Sequence, residues 1–147
     1  MPAYLCVSGV PGGSVADGIV ALAGRVLPRG QPLDLAERLG RAHDPWGVVA
    51  LEGEQVVGFK LGYSDRPGRF YSWLGGVAPE HQRRGIATEL MRRQHARCRE
   101  VGYARVRTHT VNERKPMLIL NIQSGFDIIG VTASAGKALR IVLERRL

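Results

Sequence analysis

Residues Gly75 to Met91 run Gly-Gly-Val-Ala-Pro-Glu-His-Gln-Arg-Arg-Gly-Ile-Ala-Thr-Glu-Leu-Met, and they constrain the fold more than any other stretch of the chain. Ahead of them, Phe70-Tyr71-Ser72-Trp73-Leu74 is aromatic and apolar, the composition of a strand. Behind them, Ile86, Ala87, Leu90, Met91, Gln94, Cys98 and Val101 recur on a helical period. The turn between holds Pro79, Gln82, Arg83, Arg84 and Gly85. A strand that passes through glycine into a helix N-terminus makes an anion site. The first helical amides lack intrahelical acceptors, and the helix dipole adds partial positive charge there. Gly85 lets a phosphate approach the backbone, and the two arginines add full charges.

The rest of the chain supports a compact α/β arrangement. Tyr4 to Val7 reads as a strand, and Ser14, a candidate N-cap, opens a helical period to Leu27. Pro28-Arg29-Gly30 breaks it, a short helix follows from about Leu33 to Ala42, and Asp44-Pro45 closes that helix. Trp46 to Leu51 and Gln55 to Tyr63 form a hairpin about Glu52-Gly53-Glu54. A loop from Ser64 to Gly68 leads to the central strand. After the long helix, Gly102 is a stop, Ala104 to Val111 a strand, and Pro116 to Ser124 a helix with proline in its first turn. Phe126 to Val131 and Ala138 to Leu147 are the last strands, separated by a turn from Thr132 to Lys137. This order predicts a mixed, twisted sheet with helices on both faces, in a single domain over residues 1–147.

Two cysteines are too few for a disulfide framework and lack metal-ligand spacing, so no metal is expected. Cys98 falls on the apolar stripe of its helix, and Cys6 lies in the first strand. With no leader pattern and no membrane-length apolar run, a reducing cytoplasm is the expected location. The formal charge of +8 invites a nucleic-acid partner. However, Arg83, Arg84, Arg92, Arg93, Arg97 and Arg99 gather in and after the anion turn, where a polyanionic cofactor would use them, and no basic–aromatic interleaving occurs.

Val77-x-Pro79-x-x-Gln82-x-x-Gly85-Ile86-Ala87, followed by Leu90-Met91, resembles the acetyl-CoA motif of the GNAT (GCN5-related N-acetyltransferase) superfamily. Met117-Leu118-Ile119-Leu120-Asn121-Ile122-Gln123-Ser124-Gly125-Phe126 resembles that family's second signature, a short helix ending in Gly-Phe. The two stand in family order with a strand pattern between them, and the likeness spans about Trp46 to the C-terminus. It implies the GNAT acyl-CoA N-acyltransferase fold and acetyl-CoA as cosubstrate. It also implies pyrophosphate held by Gln82, Arg83, Arg84, Gly85, Ile86, Ala87 and Thr88. The strand at Gly75, Gly76 and Val77 would splay and bind the pantetheine arm and thioester, and Asn112 would be a further cofactor contact. Consecutive glycines within a strand also mark a bulge or a close backbone approach in their own right.

Acetyl transfer to an amine needs a held cofactor, a polarised carbonyl and two proton movements. Where many members of the family carry a tyrosine that protonates the thiolate, this chain has Asn121, which can only hydrogen-bond the sulfur. Either Asn121 stabilises the thiolate or another group protonates it. His109 occupies the position of a catalytic Glu in some protein N-terminal acetyltransferases, and its ordinary pKa suits a general base. Glu52, Glu54, Asp65 and Tyr71 are its rivals. The expectation is direct transfer, in a ternary complex, to a primary amine of a small molecule or peptide. No membrane partner is expected, nucleic acid is disfavoured, and a homodimer stays open. The competing expectation is a non-catalytic CoA- or anion-binding module, or a basic nucleic-acid-binding protein.

Overall fold

The computed structural model describes residues 1–27 and 33–147. Strand β1 (Ala3–Ser8) leads to helices α1 (Gly13–Val26) and α2 (Leu35–Gly40), then to β2 (His43–Glu52), β3 (Gln55–Arg66) and β4 (Arg69–Val77). A 3-10 turn at Pro79–His81 precedes α3 (Ile86–Val101), β5 (Arg105–Val111), α4 (Lys115–Gln123), β6 (Asp127–Thr132) and β7 (Arg140–Arg146). The described strands form one mixed sheet in the order β1-β2-β3-β4-β5-β7-β6. Its parallel pair is β4 with β5, linked by the α3 crossover, and the remaining pairs are antiparallel. The expected mixed sheet with helices on both faces is therefore what forms.

Several boundaries differ from the sequence expectation for local reasons. Gly12 stands at the N-cap of α1, and Ser14 lies inside its first turn without a capping bond. Helix α2 starts at Leu35 because the Asp34 carboxylate accepts the Glu37 amide at 3.0 Å and caps it there. Asp44-Pro45 belongs to β2, at the irregularity in its pairing with β3 between His43 and Trp46; Asp44 adopts φ +49° and its carboxylate receives Arg97 and the Tyr103 hydroxyl. Strand β3 continues to Arg66, and Arg69 reaches back to Asp65 at 2.9 Å across the tight Pro67-Gly68 turn. The break expected at Pro28-Arg29-Gly30 lies outside the described residues.

Two apolar layers flank the sheet. On one face, Ile86, Leu90, Met91 and Cys98 of α3 pack with Val48, Phe70, Val106, Leu143 and Phe126. On the other, Ile19, Leu22 and Ala23 of α1 and Leu35 and Leu39 of α2 cover Val49, Phe59 and Leu61. Val101, expected on the buried stripe of α3, is 55% exposed, and the buried set includes His95 instead. The α3 stripe therefore ends one turn early.

Candidate active site

Strand β4 pairs with β5 only from Arg69 opposite Arg105 to Ser72 opposite Thr108. Trp73 is the extra residue of a bulge, because Leu74 pairs with Leu61 while Ser72 pairs with Gly62. A bulge sharpens local twist and ends regular pairing. From Trp73 to Val77 on β4 and from His109 to Val111 on β5, the facing strand edges are consequently unpaired with each other. The bulge thus falls at Trp73, two residues before the glycines expected to mark it. Gly76 has a packing reason of its own: a Cβ there would lie 2.5 Å from Val26 Cγ2 of α1. Gly75 faces the opposite side, toward Lys60.

The turn after β4 ends beside this gap. Gln82 donates Nε2–H to the Val77 carbonyl at 3.3 Å and ties the turn to the strand. Arg83 takes φ +63° and Gly85 φ +79°, both left-handed, which folds the chain sharply into α3. The first bond of α3 runs from the Glu89 amide to the Gly85 carbonyl, and no side chain caps the helix. The amides of Ile86, Ala87 and Thr88 therefore point out of the helix end without an intrahelical acceptor. A Cβ built on Gly85 meets nothing within 4 Å, so no neighbouring atom crowds the glycine at the helix start. Arg83 and Arg84 are exposed beside it. This end of α3 fits a phosphate. Three of the other arginines expected to serve the anion are engaged elsewhere: Arg92 and Arg93 bind Glu89, and Arg97 binds Asp44, while Arg99 stands in the last turn of α3, far along the helix from this end.

A cleft of about 1190 Å³ opens on the α1/α2 side, over the gap. Tyr71, Trp73 and Leu74 of β4 form one wall, His109 to Val111 of β5 another, and Arg38, Arg41, Arg114 and Arg140 outnumber the acids Asp34 and Glu37 in its lining. Arg38 stacks over Trp73 and donates to the Tyr63 hydroxyl. His109 sits in this cleft with its Nδ1 2.6 Å from Arg140 Nη2 and 3.0 Å from the Tyr71 hydroxyl. A guanidinium only donates, so Nδ1 must accept, and the ring proton resides on Nε2. Burial, then the nearby charges of Arg140 and Arg107, pull the His109 pKa below the usual histidine value. The ring is neutral near pH 7, but its one lone pair is taken while Arg140 stays in place. Tyr71, whose pKa burial pushes up, remains a protonated phenol.

The sequence candidates thus divide. Gly75, Gly76, Val77, Gln82, Arg83, Arg84, Gly85, Ile86, Ala87 and Thr88 form a continuous path from the gap to the helix end, and His109 and Tyr71 face the cleft. Asn121 is buried on α4, where its main-chain carbonyl accepts the Phe126 amide at 3.0 Å. Asn112 lies exposed in the turn before α4, outside the cleft lining. Glu52 and Glu54 belong to the distant β2–β3 turn, and Asp65 is committed to Arg69. Cys98 is fully buried, with its thiol pushed up to about 12 mainly by burial, so no nucleophilic cysteine is available there.

Sequence reasoning passed over Lys60, Arg140 and His95. Lys60 was detectable as the one charge in the apolar run Val56 to Tyr63. Arg140 and His95 acquire their positions only through tertiary packing, and nothing in their neighbours signalled it.

A sheet split beside an uncapped, open helix N-terminus, with a cleft on the opposite face, defines an acyl-CoA-type transferase fold. The acetyltransferase (GNAT) family model matches residues 22–120, well over half of the chain. The chain belongs to the GNAT family and is a GNAT-type acetyltransferase. It is similar in fold to the IAA acetyltransferase from Bacillus cereus, at 19% identity and TM-score 0.75, covering 99% of this chain and 100% of that one. The ribosomal-protein-S18-alanine N-acetyltransferase from Escherichia coli superimposes with TM-score 0.75 at 12% identity, over 97% and 94% of the two chains. A GNAT family acetyltransferase from Elizabethkingia anophelis with acetyl-CoA bound aligns at 16% identity and TM-score 0.74, over 98% of each chain. No curated protein matches the chain by sequence. No helix among the described residues is long and apolar enough to cross a membrane.

Proposed function

We propose that the chain transfers the acetyl group of acetyl-CoA directly to a primary amine, in a ternary complex, within a reducing cytoplasm. The observation that carries this reading is the loss of β4–β5 pairing after Ser72 and Thr108, next to the uncapped end of α3. The pyrophosphate would lie on the amides of Arg84 to Ala87, flanked by Arg83 and Arg84. The pantetheine amides would pair with the unpaired edges of β4 from Trp73 to Val77 and of β5 from His109 to Val111. This delivers the thioester to the floor of the cleft, and the acceptor amine approaches from the opposite side. An amine near its ordinary pKa is almost wholly protonated at pH 7, so one proton must leave before attack.

His109 is the group proposed to take that proton, and Arg140 sets the condition. An acceptor carrying a carboxylate or phosphate would draw Arg140 off Nδ1, and the freed lone pair could then accept the ammonium proton. The arginines along the cleft support such an anionic acceptor, a small molecule or a peptide, with Trp73 and Tyr71 supplying a flat apolar wall. Asn121 would hydrogen-bond the departing sulfur. The test is calorimetry with acetyl-CoA, followed by thiol release across neutral and anionic amines. Tight binding with release favouring anionic amines is the expected result. Binding without release from any amine would instead support a CoA-binding module, and no binding would overturn the reading.

A further inference from the structure

Lys60 is 8% exposed, stands opposite Gly75 across the β3–β4 pair, and has no hydrogen-bond or ion-pair partner among the described residues. A Cβ placed on Gly75 would come 3.5 Å from Lys60 Cγ and 3.7 Å from Nζ, so the lysine chain lies along the space that the glycine leaves empty. It points to the α3 face of the sheet, the side on which a Cβ at Gly58, two residues earlier, meets Ile86 and Leu90. The charged or titratable groups that face it are Arg114 at the N-cap of α4 and His95 of α3, with Arg145 of β7 behind His95. None of these is an acid. A buried ammonium among cations, with no counter-charge of its own, is unfavourable until an anion arrives.

We propose that Lys60 is the acid of the transfer reaction, stabilising the coenzyme A thiolate as it leaves and then protonating it. This inference rests on the acetyl-CoA reading above. As the neutral amine nitrogen bonds to the acetyl carbon, the carbon–sulfur bond breaks, sulfur departs with the electron pair, and the nitrogen gives up its remaining surplus proton to water. A proton passes from Lys60 Nζ to that sulfur, and the Lys60 amine left behind regains a proton from solvent. The face of the sheet decides between this role and a nucleophilic one. The acceptor cleft with His109 and Tyr71 lies on the α1/α2 side and does not include Lys60; Arg114, at the N-cap of α4, borders both. Lys60 is therefore on the side from which the leaving group departs.

Its acidity suits the task. Burial, then the charge of Arg114, lowers the Lys60 pKa to about 8, close to the ordinary thiol value of about 8.5. The group is still mostly charged near pH 7 and parts with its proton far more readily than a surface lysine. Further buried atoms without partners, Thr110 Oγ1 on β5 at the edge of the cleft and Gln94 Nε2 and Oε1 and His95 Nε2 on α3, indicate that the polar set between β5 and α3 is incomplete without a ligand.

The test needs no acceptor. Coenzyme A is bound to the protein, and its thiol is titrated by the ultraviolet absorbance of the thiolate. In the wild type the midpoint should fall about one pH unit or more below that of free coenzyme A, the effect of a cation within contact distance. In Lys60→Met it should return to the free value or above. Lys60→Met removes an unpaired buried charge and keeps an unbranched apolar chain one atom shorter, so it should fold. If it does not, the wild-type midpoint against free coenzyme A decides alone. A wild-type midpoint at or above the free value, or an unchanged midpoint in a folded Lys60→Met, overturns the role of Lys60. A wild-type protein that binds no coenzyme A overturns the acetyl-CoA reading beneath it.

Discussion

His95 makes the acid stability of this protein calculable. It is 1% exposed on α3, its ring lies 5.4 Å from that of Phe126, and its Nδ1 accepts from Arg145 Nη1 at 2.7 Å. Protonating it would bury a second charge against Arg145 and break that bond. Burial first, then Lys60, Arg145 and Arg99, holds its pKa down to about 3, against 6.5 for an ordinary histidine. Between those values the unfolded chain binds a proton that the folded one refuses, so stability falls as pH falls through this window. Each unit is worth about 1.4 kcal/mol. From neutrality to a point two units below 6.5, His95 alone should therefore remove about 2.7 kcal/mol. The depressed carboxylates Asp44, Glu80, Glu89 and Glu144 act in the same direction but mainly below that point. His95→Gln keeps an oxygen for Arg145 and cannot titrate. Urea unfolding of both proteins at neutral pH and near pH ~4.5 should show the wild type losing about 2.7 kcal/mol more than His95→Gln. Equal losses, or an NMR titration of His95 with an ordinary histidine midpoint, would refute the reasoning.

Three further perturbations address the site. Gly85→Asp has room for its side chain at φ +79°, at a strain of about 1 kcal/mol, and should fold yet lose acetyl-CoA binding in calorimetry, since it puts a negative charge before the free amides. His109→Gln should shift or abolish the acid limb of the rate profile while leaving acetyl-CoA affinity near wild type; an unchanged limb would make His109 structural. Asn121→Ala should slow turnover by less than the roughly 10²-fold expected on losing a proton donor, with complete loss of activity at intact cofactor affinity as the contrary result.

The anion turn was legible in sequence because it is local chemistry. Pro79, Gln82 and Gly85 act over one strand, one turn and one helix start, and the Gly53 and Gly102 punctuation is equally local. The element order followed from the same signals. Bulge placement was not legible, because Trp73 is extra only relative to Leu61 and Gly62 on a neighbouring strand. Nor was the state of His109: Arg140 reaches it from β7, thirty-one positions along the chain. The α3 arginines looked alike in sequence, and only the folded arrangement assigns Arg97 to Asp44 and Arg92 to Glu89. Helix ends shifted by a residue or two wherever a particular cap, such as Asp34, took precedence over periodicity.

The short parallel register between β4 and β5 has a mechanical meaning. Its pairing spans only Arg69 to Ser72, so β1–β4 and β5–β7 are two ribbons sewn together over four residue pairs. Beyond the last stitch the hydrogen bonds that would normally continue the seam are missing, and the apolar layer beneath, from Val48 to Leu143, carries the join. A ligand that hydrogen-bonds both open edges would act as a zipper closing the seam from its frayed end. Its grip on the two ribbons would then be inseparable from the rigidity of the sheet itself.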